Sequence, residues 1–257
     1  MITLTSDFGL KDPYVAEMKG VILSINSKTT IVDITHSIDK FDIRTSAFIL
    51  ASVVPYFPKG TVHIVVVDPG VGTNRRSILV ESKQGFFVGP DNGVLMLAAQ
   101  KLGSEHTFEL NNPKFMLPKI SSTFHGRDVF APAATYLDMG TKPSEFGPEI
   151  SDAINPEFIK VKKINGSFTG EVLYIDGFGN IITNITQKEV ADAKSVKVKF
   201  PNFSLALALK KTYSEAKFQE PITLFGSHGF LEIALNQDNV AEKFHVTAGD
   251  KIQVTPA

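Results

Sequence analysis

The feature that most constrains the fold is a nearly continuous apolar run, TVHIVVV, over residues 61–67. Such a run is typical of a strand buried on both faces, which requires helices on both sides of a parallel sheet. The run stops at Asp68, and Pro69, Gly70 and Gly72 follow. A buried strand therefore leads directly into a polar loop, and open α/β sheets bind their ligands beyond the carboxyl ends of such strands.

The rest of the first half alternates between strand and helix patterns. Residues 2–5 and 30–34 are short β-rich runs. Asp12 and Asp42 are predicted N-caps of two helices, because apolar residues at helical spacing follow each of them. Segments 91–102 and 128–139 predict two further helices. This alternation indicates an α/β layered domain.

The pattern changes near residue 155. Short β-rich runs separated by turn residues occupy 170–175, 180–185, 196–200, 222–225 and 230–234. Asp176-Gly177 and Ser227-His228-Gly229 stand where hairpin turns are expected. We therefore predict an α/β layered domain over residues 1–155 and a small antiparallel β-barrel or sandwich over residues 156–257.

Composition excludes several function classes. The 26 Lys and Arg nearly balance the 27 Asp and Glu, so no charge excess points to nucleic acid or a membrane surface. The absence of cysteine excludes thiol catalysis, thiolate metal sites and disulfides. The start MITLTSDFG lacks signal-peptide character and no apolar run approaches a membrane span, so we expect a cytoplasmic protein.

The loop after the apolar run fits neither common phosphate-binding motif. Gly70 and Gly72 match a dinucleotide fingerprint, but Arg75 occupies the position of its third glycine, and no Gly-Lys-Ser/Thr occurs. An Asp68–Arg75 ion pair that only stabilises the loop is one interpretation. The alternative is a site, because Asp7 also follows a predicted strand and a polar cluster at 122–128 precedes a predicted helix.

Three other residues are candidates for ligand binding. His125 lies just before a predicted helix, whereas the spacing of the six histidines predicts no metal site. Phe178 stands between two glycines, where it is poorly placed for a core and well placed to meet a flat ligand. Asn180 has two interpretations: it bonds an amide-like edge such as that of adenine, or it only satisfies its own turn.

Taken together, the motifs resemble the S-adenosyl-L-methionine (SAM) hydroxide adenosyltransferases, adenosine-forming SAM hydrolases related to the SAM-dependent fluorinase and chlorinase. The resemblance covers residues 2 to about 245 and rests on an ordered set of segments: 5–9 (TSDFG), 33–36 (DITH), 68–73 (DPGVGT), 75–76 (RR), 90–93 (PDNG), 123–128 (TFHGRD), 176–180 (DGFGN) and 227–234 (SHGFLEIA). It implies an α/β domain, a β-barrel domain, and a homotrimer that binds SAM between subunits. It implies no cofactor, because SAM is the substrate.

The resemblance also implies residue roles. Asp68, Arg75 and His125 correspond to the catalytic set, and Asp7 to the ribose-binding carboxylate. The remaining substrate-binding positions are aromatic residues around the ligand, the adenine-edge contact, and groups near the methionine amine and carboxylate. In that order they are Phe41, Phe124, Phe178 and Tyr213, then Asn180, then Asp176 and Ser227.

The halogenases of this superfamily differ at informative positions. The fluorinase has a serine where this chain has Gly126 and a tyrosine where it has Asp68, and it carries an insertion near residues 83–86 that is short here. A carboxylate would repel a halide but suits a water that must lose a proton. Two departures from the hydrolase pattern, Gly226 and Asp238, concern the methionine and adenine ends of the pocket.

The expected reaction is hydrolysis of SAM to adenosine and L-methionine by in-line attack of water or hydroxide on C5′. Arg75 would favour hydroxide, Asp68 would orient the water, and His125 would relay the proton, with the formal base either Asp68 or His125. A halogenase that uses the same pocket and a non-catalytic protein that binds adenosine or SAM are the alternatives.

Overall fold

The protein divides into two compact units, Met1–Glu157 (unit 1) and Phe158–Ala257 (unit 2). The structure is a computed structural model that describes residues 1–158, 160–190 and 193–257. Within these ranges, no helix has the length and apolar character needed to cross a lipid bilayer.

Unit 1 is built on a mixed sheet whose described strands number six. Its elements in chain order are β1 (Ile2–Ser6), α1 (Tyr14–Ile25), β2 (Ile31–Thr35), α2 (Ile43–Val53), β3 (Thr61–Val66), β4 (Ser77–Ser82), β5 (Gly85–Pro90), α3 (Met96–Lys101), β6 (Ser104–Glu109) and α4 (Ala131–Asp138). The strand order is β2-β1-β3-β5-β4-β6. The first four of these strands are parallel, and β4 is antiparallel to both of its neighbours.

Strand β3 is buried along its whole length and contributes to two cores. Val62, Ile64 and Val66 pack on one face of the sheet with residues of α1 and α4. Val65 points to the opposite face, where it packs with residues of α2 and α3. The prediction of an α/β layered domain is confirmed, because apolar residues on both faces of this strand require cover on both sides.

The helix starts were predicted less well. Asp42 caps α2 as expected, with its Oδ1 accepting the Thr45 backbone N–H at 2.9 Å. The prediction for Asp12 is wrong, since Pro13 is the N-cap of α1 and no side chain caps that helix.

Two helix ranges also need correction. Of the predicted 91–102 helix, only Met96–Lys101 is helical. Residues 91–95, before α3, form bends and turns instead. The Asp91 carboxylate at their start accepts hydrogen bonds from Arg76 and from the Ile154 N–H. The predicted 128–139 helix starts earlier, because a π-helical turn over Gly126–Phe130 runs directly into α4.

Unit 2 is an antiparallel sheet that nearly closes on itself. Its described elements are β7 (Lys162–Ile164), β8 (Ser167–Ile175), β9 (Ile181–Thr186), β10 (Ser195–Lys199), β11 (Ser204–Ala208), β12 (Pro221–Phe225), β13 (Phe230–Leu235), α5 (Val240–Phe244) and β14 (Lys251–Pro256). The strand order is β11-β10-β14-β8-β9-β13-β12, with β7 paired to β8. A bridge between Leu209 and Thr223 links the two ends, so the barrel prediction is confirmed.

Candidate active site

A cavity of about 520 Å³ opens in unit 1 beyond the carboxyl ends of β1 and β3. These strands are parallel neighbours, so Asp7 and Asp68, which follow them, reach the same edge of the sheet. The residues that line the cavity combine acids, aromatics and the polar segment before α4: Asp7, Phe8, Tyr14, Glu17, Lys40, Phe41, Val66, Asp68, Val71, Ser121, Thr123, Phe124, His125, Gly126 and Arg127.

Arg75 joins Asp68 to His125. Its Nε donates to Asp68 Oδ1 at 3.1 Å and its Nη2 to Asp68 Oδ2 at 2.6 Å. The same Nη2 lies 3.0 Å from His125 Nδ1. Both members of the Asp68–Arg75 ion pair are almost fully buried. The three side chains predicted to be catalytic therefore form one connected cluster.

The guanidinium of Arg75 has no free donor. Its Nη1 donates to the Arg76 carbonyl oxygen at 2.8 Å and to Ser77 Oγ at 3.0 Å, which completes five contacts for its five N–H groups. Arg75 is also absent from the described lining of the cavity, whereas Asp68 and His125 are part of it. Arg75 thus lies behind the two groups that face the cavity.

This geometry determines the tautomer of His125. A guanidinium can only donate hydrogen bonds, so His125 Nδ1 must be the acceptor. The neutral ring therefore carries its proton on Nε2. Burial, together with the positive charge of Arg75, lowers the pKa of His125. For Asp68, burial raises the pKa of the carboxyl group although Arg75 opposes that shift.

Two glycines lie where the segments that carry Arg75 and His125 approach each other. Gly72 has a positive φ of 78°, and a Cβ atom there would lie 2.2 Å from the Ser122 carbonyl oxygen. The loop that carries Arg75 can therefore pack against the segment that carries His125 only with glycine at this position. A Cβ at Gly126 would lie 3.2 Å from the ring of Phe124 and 3.3 Å from a methyl group of Val66.

Asp7 is connected to the strained loop before α2. Its Oδ2 accepts the Phe41 backbone N–H at 2.9 Å, and its carbonyl oxygen accepts the Lys40 ammonium group. Phe41 has a positive φ of 67°, which is rare for a residue with a side chain. Phe41 lines the cavity and is nevertheless 65% exposed, so its ring is available to a ligand.

Phe124 is the centre of an aromatic group at the same cavity. Its ring packs edge-on against Phe8 at 5.6 Å and Tyr14 at 5.2 Å, and the Arg127 guanidinium lies 5.0 Å from its centroid. Arg127 is held there by Asp128 and Glu17. Sequence reasoning placed Phe124 in the site but missed Tyr14, Lys40 and Arg127, whose patterns are those of ordinary surface residues.

A separate cavity of about 660 Å³ lies in unit 2. Asp176, Phe178, Asn180 and Tyr213 line it, together with the segment from Leu235 to Asn239. Phe178 is 80% exposed at the tip of its turn. Four of the five predicted residues of unit 2 thus share one cavity. Ser227 does not line it among the described residues and is exposed in the turn between β12 and β13.

The polar groups of this cavity are bonded in a defined way. Asp176 accepts hydrogen bonds from the Phe178 N–H, the Asn180 N–H and Asn180 Nδ2, all at 2.9 Å. Tyr213 donates its hydroxyl proton to the buried Glu232 at 2.5 Å. Burial raises the pKa of Tyr213 above its usual value, and the hydrogen bond to Glu232 raises it further. Sequence reasoning missed Glu232 because it stands in an ordinary strand pattern.

Within the described part of the chain, no group of three or more His, Asp or Glu side chains is arranged to hold a metal ion.

Family models and relatives agree over nearly the whole chain. Residues 2–147 match the SAM hydroxide adenosyltransferase N-terminal domain, and residues 170–253 match the C-terminal domain of the same family. A relative from Methanocaldococcus jannaschii named (R)-S-adenosyl-L-methionine hydrolase is 37% identical, over 99% of this chain and 95% of the relative. A fluorinase from an Actinoplanes species is 28% identical, over 100% of this chain and 98% of its own length.

A solved structure has the same fold. The crystal structure of an uncharacterized conserved protein from Thermotoga maritima is 36% identical to this chain and superimposes with a TM-score of 0.94. The match covers 99% of this chain and 100% of that structure.

Proposed function

The chain belongs to the SAM hydroxide adenosyltransferase family, and on that premise we propose that it hydrolyses S-adenosyl-L-methionine to adenosine and L-methionine. One structural observation carries the proposal: Asp68 and His125 face the same cavity and are held together by the buried Arg75. The cluster can position and deprotonate a water molecule.

The chemistry needs a base and no acid. Water attacks C5′ of the substrate in line with the C5′–S bond, and the bonding electrons of that bond return to sulfur. The sulfonium leaves as the neutral thioether of methionine, so no proton has to be supplied to it. The attacking water loses one proton, which makes the placement of a general base the decisive requirement.

Asp68 is the base in this proposal. The Nδ1 lone pair of His125 is occupied by the bond from Arg75, and its Nε2 carries a proton. His125 therefore donates to the oxygen of the water and orients it. Burial raises the pKa of Asp68, so its carboxylate is a stronger base than an exposed one. Two bonds from Arg75 and one from the Gly70 backbone leave one of the four lone-pair positions of the carboxylate for the water.

Arg75 acts indirectly. Because all five of its N–H groups are engaged, it does not bond the water and instead supplies positive charge to the cluster. That charge stabilises the hydroxide that forms as the proton moves to Asp68. The guanidinium also holds Asp68 and His125 next to each other at the cavity, since one of its nitrogens contacts both side chains.

The substrate contacts follow the resemblance. Asp7 binds the ribose hydroxyl groups, Phe41 and Phe124 pack on the ligand in unit 1, and Phe178 and Tyr213 do so in unit 2. Ser227 contacts the methionine carboxylate. A cytoplasmic location and activity without a cofactor belong to the same proposal.

We further propose a homotrimer in which unit 1 of one copy and unit 2 of another hold one substrate. Two aromatic side chains that the resemblance assigns to the ligand support this arrangement. Phe41 and Phe178 are 65% and 80% exposed in a single chain, and such exposed aromatics are typical of surfaces that become covered on binding.

The halogenase alternative is disfavoured by Gly126. A Cβ added at this position would lie 3.2–3.3 Å from Phe124, Met18 and Val66, so a serine would require these side chains to shift. The buried carboxylate of Asp68 would also repel a halide ion at the nucleophile position.

The test is the fate of oxygen from labelled water. Incubation with SAM in H₂¹⁸O should place the label in the 5′-hydroxyl group of adenosine, and addition of chloride or fluoride should give no 5′-halo product. Label elsewhere, or a halogenated nucleoside, would contradict the proposal. Since the Methanocaldococcus relative is named for the (R) epimer, the two sulfonium epimers should be assayed separately, with the (R) epimer expected to react faster.

A further inference from the structure

We propose that Asp176 is a positioning residue that fixes the Asn180 amide so that it selects a purine with an amino group at C6. The inference rests on the proposed function, because it concerns the base that the substrate carries. The resemblance places Asp176 near the methionine amine, and the positioning role is an additional one.

The turn between β8 and β9 is built around the Asp176 carboxylate. Its Oδ1 accepts the backbone N–H groups of Phe178 and Asn180, and its Oδ2 accepts Asn180 Nδ2. The main chain closes the same turn, since Asp176 N–H donates to the Asn180 carbonyl and Gly179 N–H donates to the Asp176 carbonyl. The carboxylate therefore has all of its described hydrogen bonds inside the turn.

This arrangement fixes which way the Asn180 amide points. An ionised carboxylate only accepts hydrogen bonds, so the Asn180 atom that faces Oδ2 must be the nitrogen. One Nδ2 hydrogen is used in this bond. The second hydrogen and the carbonyl Oδ1 have no partner among the described residues, and Asn180 lines the cavity although it is only 6% exposed.

The two free positions match adenine. Its C6 amino group donates and a neighbouring ring nitrogen accepts, so one asparagine amide can bond both at once. Hypoxanthine carries a carbonyl group at C6, which would meet Asn180 Oδ1 as acceptor against acceptor. A nearly buried polar group that is left unpaired weakens binding strongly, and this is how such sites reject an analogue.

The selectivity then depends on Asp176 and not on Asn180 alone. A free asparagine side chain can rotate by half a turn and offer its NH₂ to a carbonyl, which would accept either base. The bond to Oδ2 prevents this rotation, because the reversed amide would place its oxygen against a carboxylate oxygen.

The experiment compares kcat/KM for SAM with that for its 6-oxo analogue, S-inosyl-L-methionine. The wild type should prefer SAM by about tenfold or more, the range of a good bidentate pair. In Asp176→Asn, the new amide keeps its oxygen on the backbone N–H groups and turns its NH₂ towards Asn180. Asn180 should then reverse, and the preference should fall about tenfold or invert.

Asp250→Asn is the matched control. Asp250 also caps a turn in unit 2, where its Oδ2 accepts the Thr247 N–H at 2.8 Å, and it is not part of this cavity. Its ratio of kcat/KM values should equal that of the wild type. If kcat/KM of Asp176→Asn falls by the same factor for both substrates, the inference is overturned. That result would favour a contact between Asp176 and the methionine portion of the substrate.

A binding measurement separates this inference from the proposed function. If the wild type hydrolyses neither substrate, the proposed function fails, and calorimetry with adenosine and inosine still tests the base selectivity. Adenosine should bind about tenfold more tightly than inosine to the wild type. Equal affinities would overturn the inference, even if Asp176→Asn does not fold.

Discussion

Arg75 is the residue whose role changes most between sequence and structure. Its position suggests either an ion pair that stabilises a loop or a cation that contacts the reacting water. The structure contains the ion pair with Asp68, but it also connects that pair to His125. Because all five of its donors are in use, the guanidinium positions Asp68 and His125, which face the cavity. We propose that these two groups, and not Arg75, contact the water.

Replacing Asp68 by Asn should abolish the base while keeping the shape of the side chain. We expect kcat to fall by about 10²–10⁴-fold, the usual contribution of general base catalysis, with SAM binding retained. Arg75→Lys should also lower kcat strongly, because a lysine ammonium cannot hold both Asp68 and His125 in a fork. Steady-state kinetics and calorimetric titration with SAM measure the two effects.

Arg76→Lys is the control for these substitutions. Arg76 is the next residue, it is also bound to carboxylates, those of Asp91 and Asp152, and it does not line the cavity. Its variant should keep near wild-type kcat. Near-full turnover by Asp68→Asn would show that another group takes the proton.

The pH dependence of kcat/KM follows from the same cluster. Asp68 must be ionised, and burial raises its pKa, while burial lowers the pKa of His125. Activity should therefore be lost as the pH falls through a region between about 4 and 6.5, the ordinary values of the two groups. The value of kcat/KM should stay constant from pH 7 to about 9. A profile that declines above pH 7 would indicate a catalytic proton on a group other than these.

Among the individual elements, strand β3 leads to a candidate site residue and also buries a titratable side chain in the core. The strand delivers Asp68 to the cavity, and it also buries His63 between β1 and β5. His63 Nδ1 lies 2.8 Å from Thr3 Oγ1, and the ring stacks on Phe87 at 5.2 Å. Burial lowers the pKa of His63 to about 4.

Acid should therefore destabilise the protein through His63. The unfolded chain binds a proton near the ordinary value of about 6.5, and the folded chain resists it until about pH 4, so stability is lost as the pH falls across this interval. The loss that His63 causes should approach about 3 kcal/mol at pH 4. Urea unfolding of the wild type and His63→Gln at pH 7 and pH 4.5 measures it.

In this comparison His63→Gln should lose less stability on acidification than the wild type does. The control is His245→Asn, which replaces an exposed histidine with a positive φ by a residue that tolerates that conformation. The His245→Asn variant should lose as much stability on acidification as the wild type does. Equal acid sensitivity of wild type and His63→Gln would show that other groups dominate.

In the molecule as a whole, each unit supplies part of the set of residues that we propose for the reaction. Unit 1 holds the cluster of Asp68, Arg75 and His125 together with Asp7, and unit 2 holds Phe178 and Asn180. Among the described residues, neither cavity alone contains all of the contacts that we propose for the adenine, the ribose and the methionine. The proposed trimer would bring the two sets together from different copies.

Mixing two inactive variants tests this arrangement. Asp68→Asn disables unit 1 and Asn180→Ala disables unit 2. If the site is shared between copies, trimers reassembled from an equal mixture should regain about a quarter of wild-type activity, because one site in four combines two intact halves. If both halves come from one chain, no activity returns. Light scattering should give three times the chain mass.

Apolar periodicity and ordered motifs were sufficient to predict the types of element and the family. Apolar spacing is a local property, so the buried run at 61–67, the Asp42 cap and the β-rich second half could be read directly. The ordered motifs identified the family, which the family models confirm. The 91–102 helix was predicted too long because the partners of Asp91, Arg76 and Ile154, are distant in the sequence.

The hydrogen bonds among the candidate site residues could not be predicted from the sequence. Arg75 and His125 are fifty residues apart, and their bond, which fixes the histidine tautomer, depends on the packing of two loops across Gly72. The sequence allows Asn180 either to contact a ligand or to stabilise its own turn. In the structure Asn180 Nδ2 bonds Asp176 within the turn, and its Oδ1 and second Nδ2 hydrogen have no partner among the described residues. Hydrogen-bond partners depend on where distant segments meet, and spacing along the chain does not specify that.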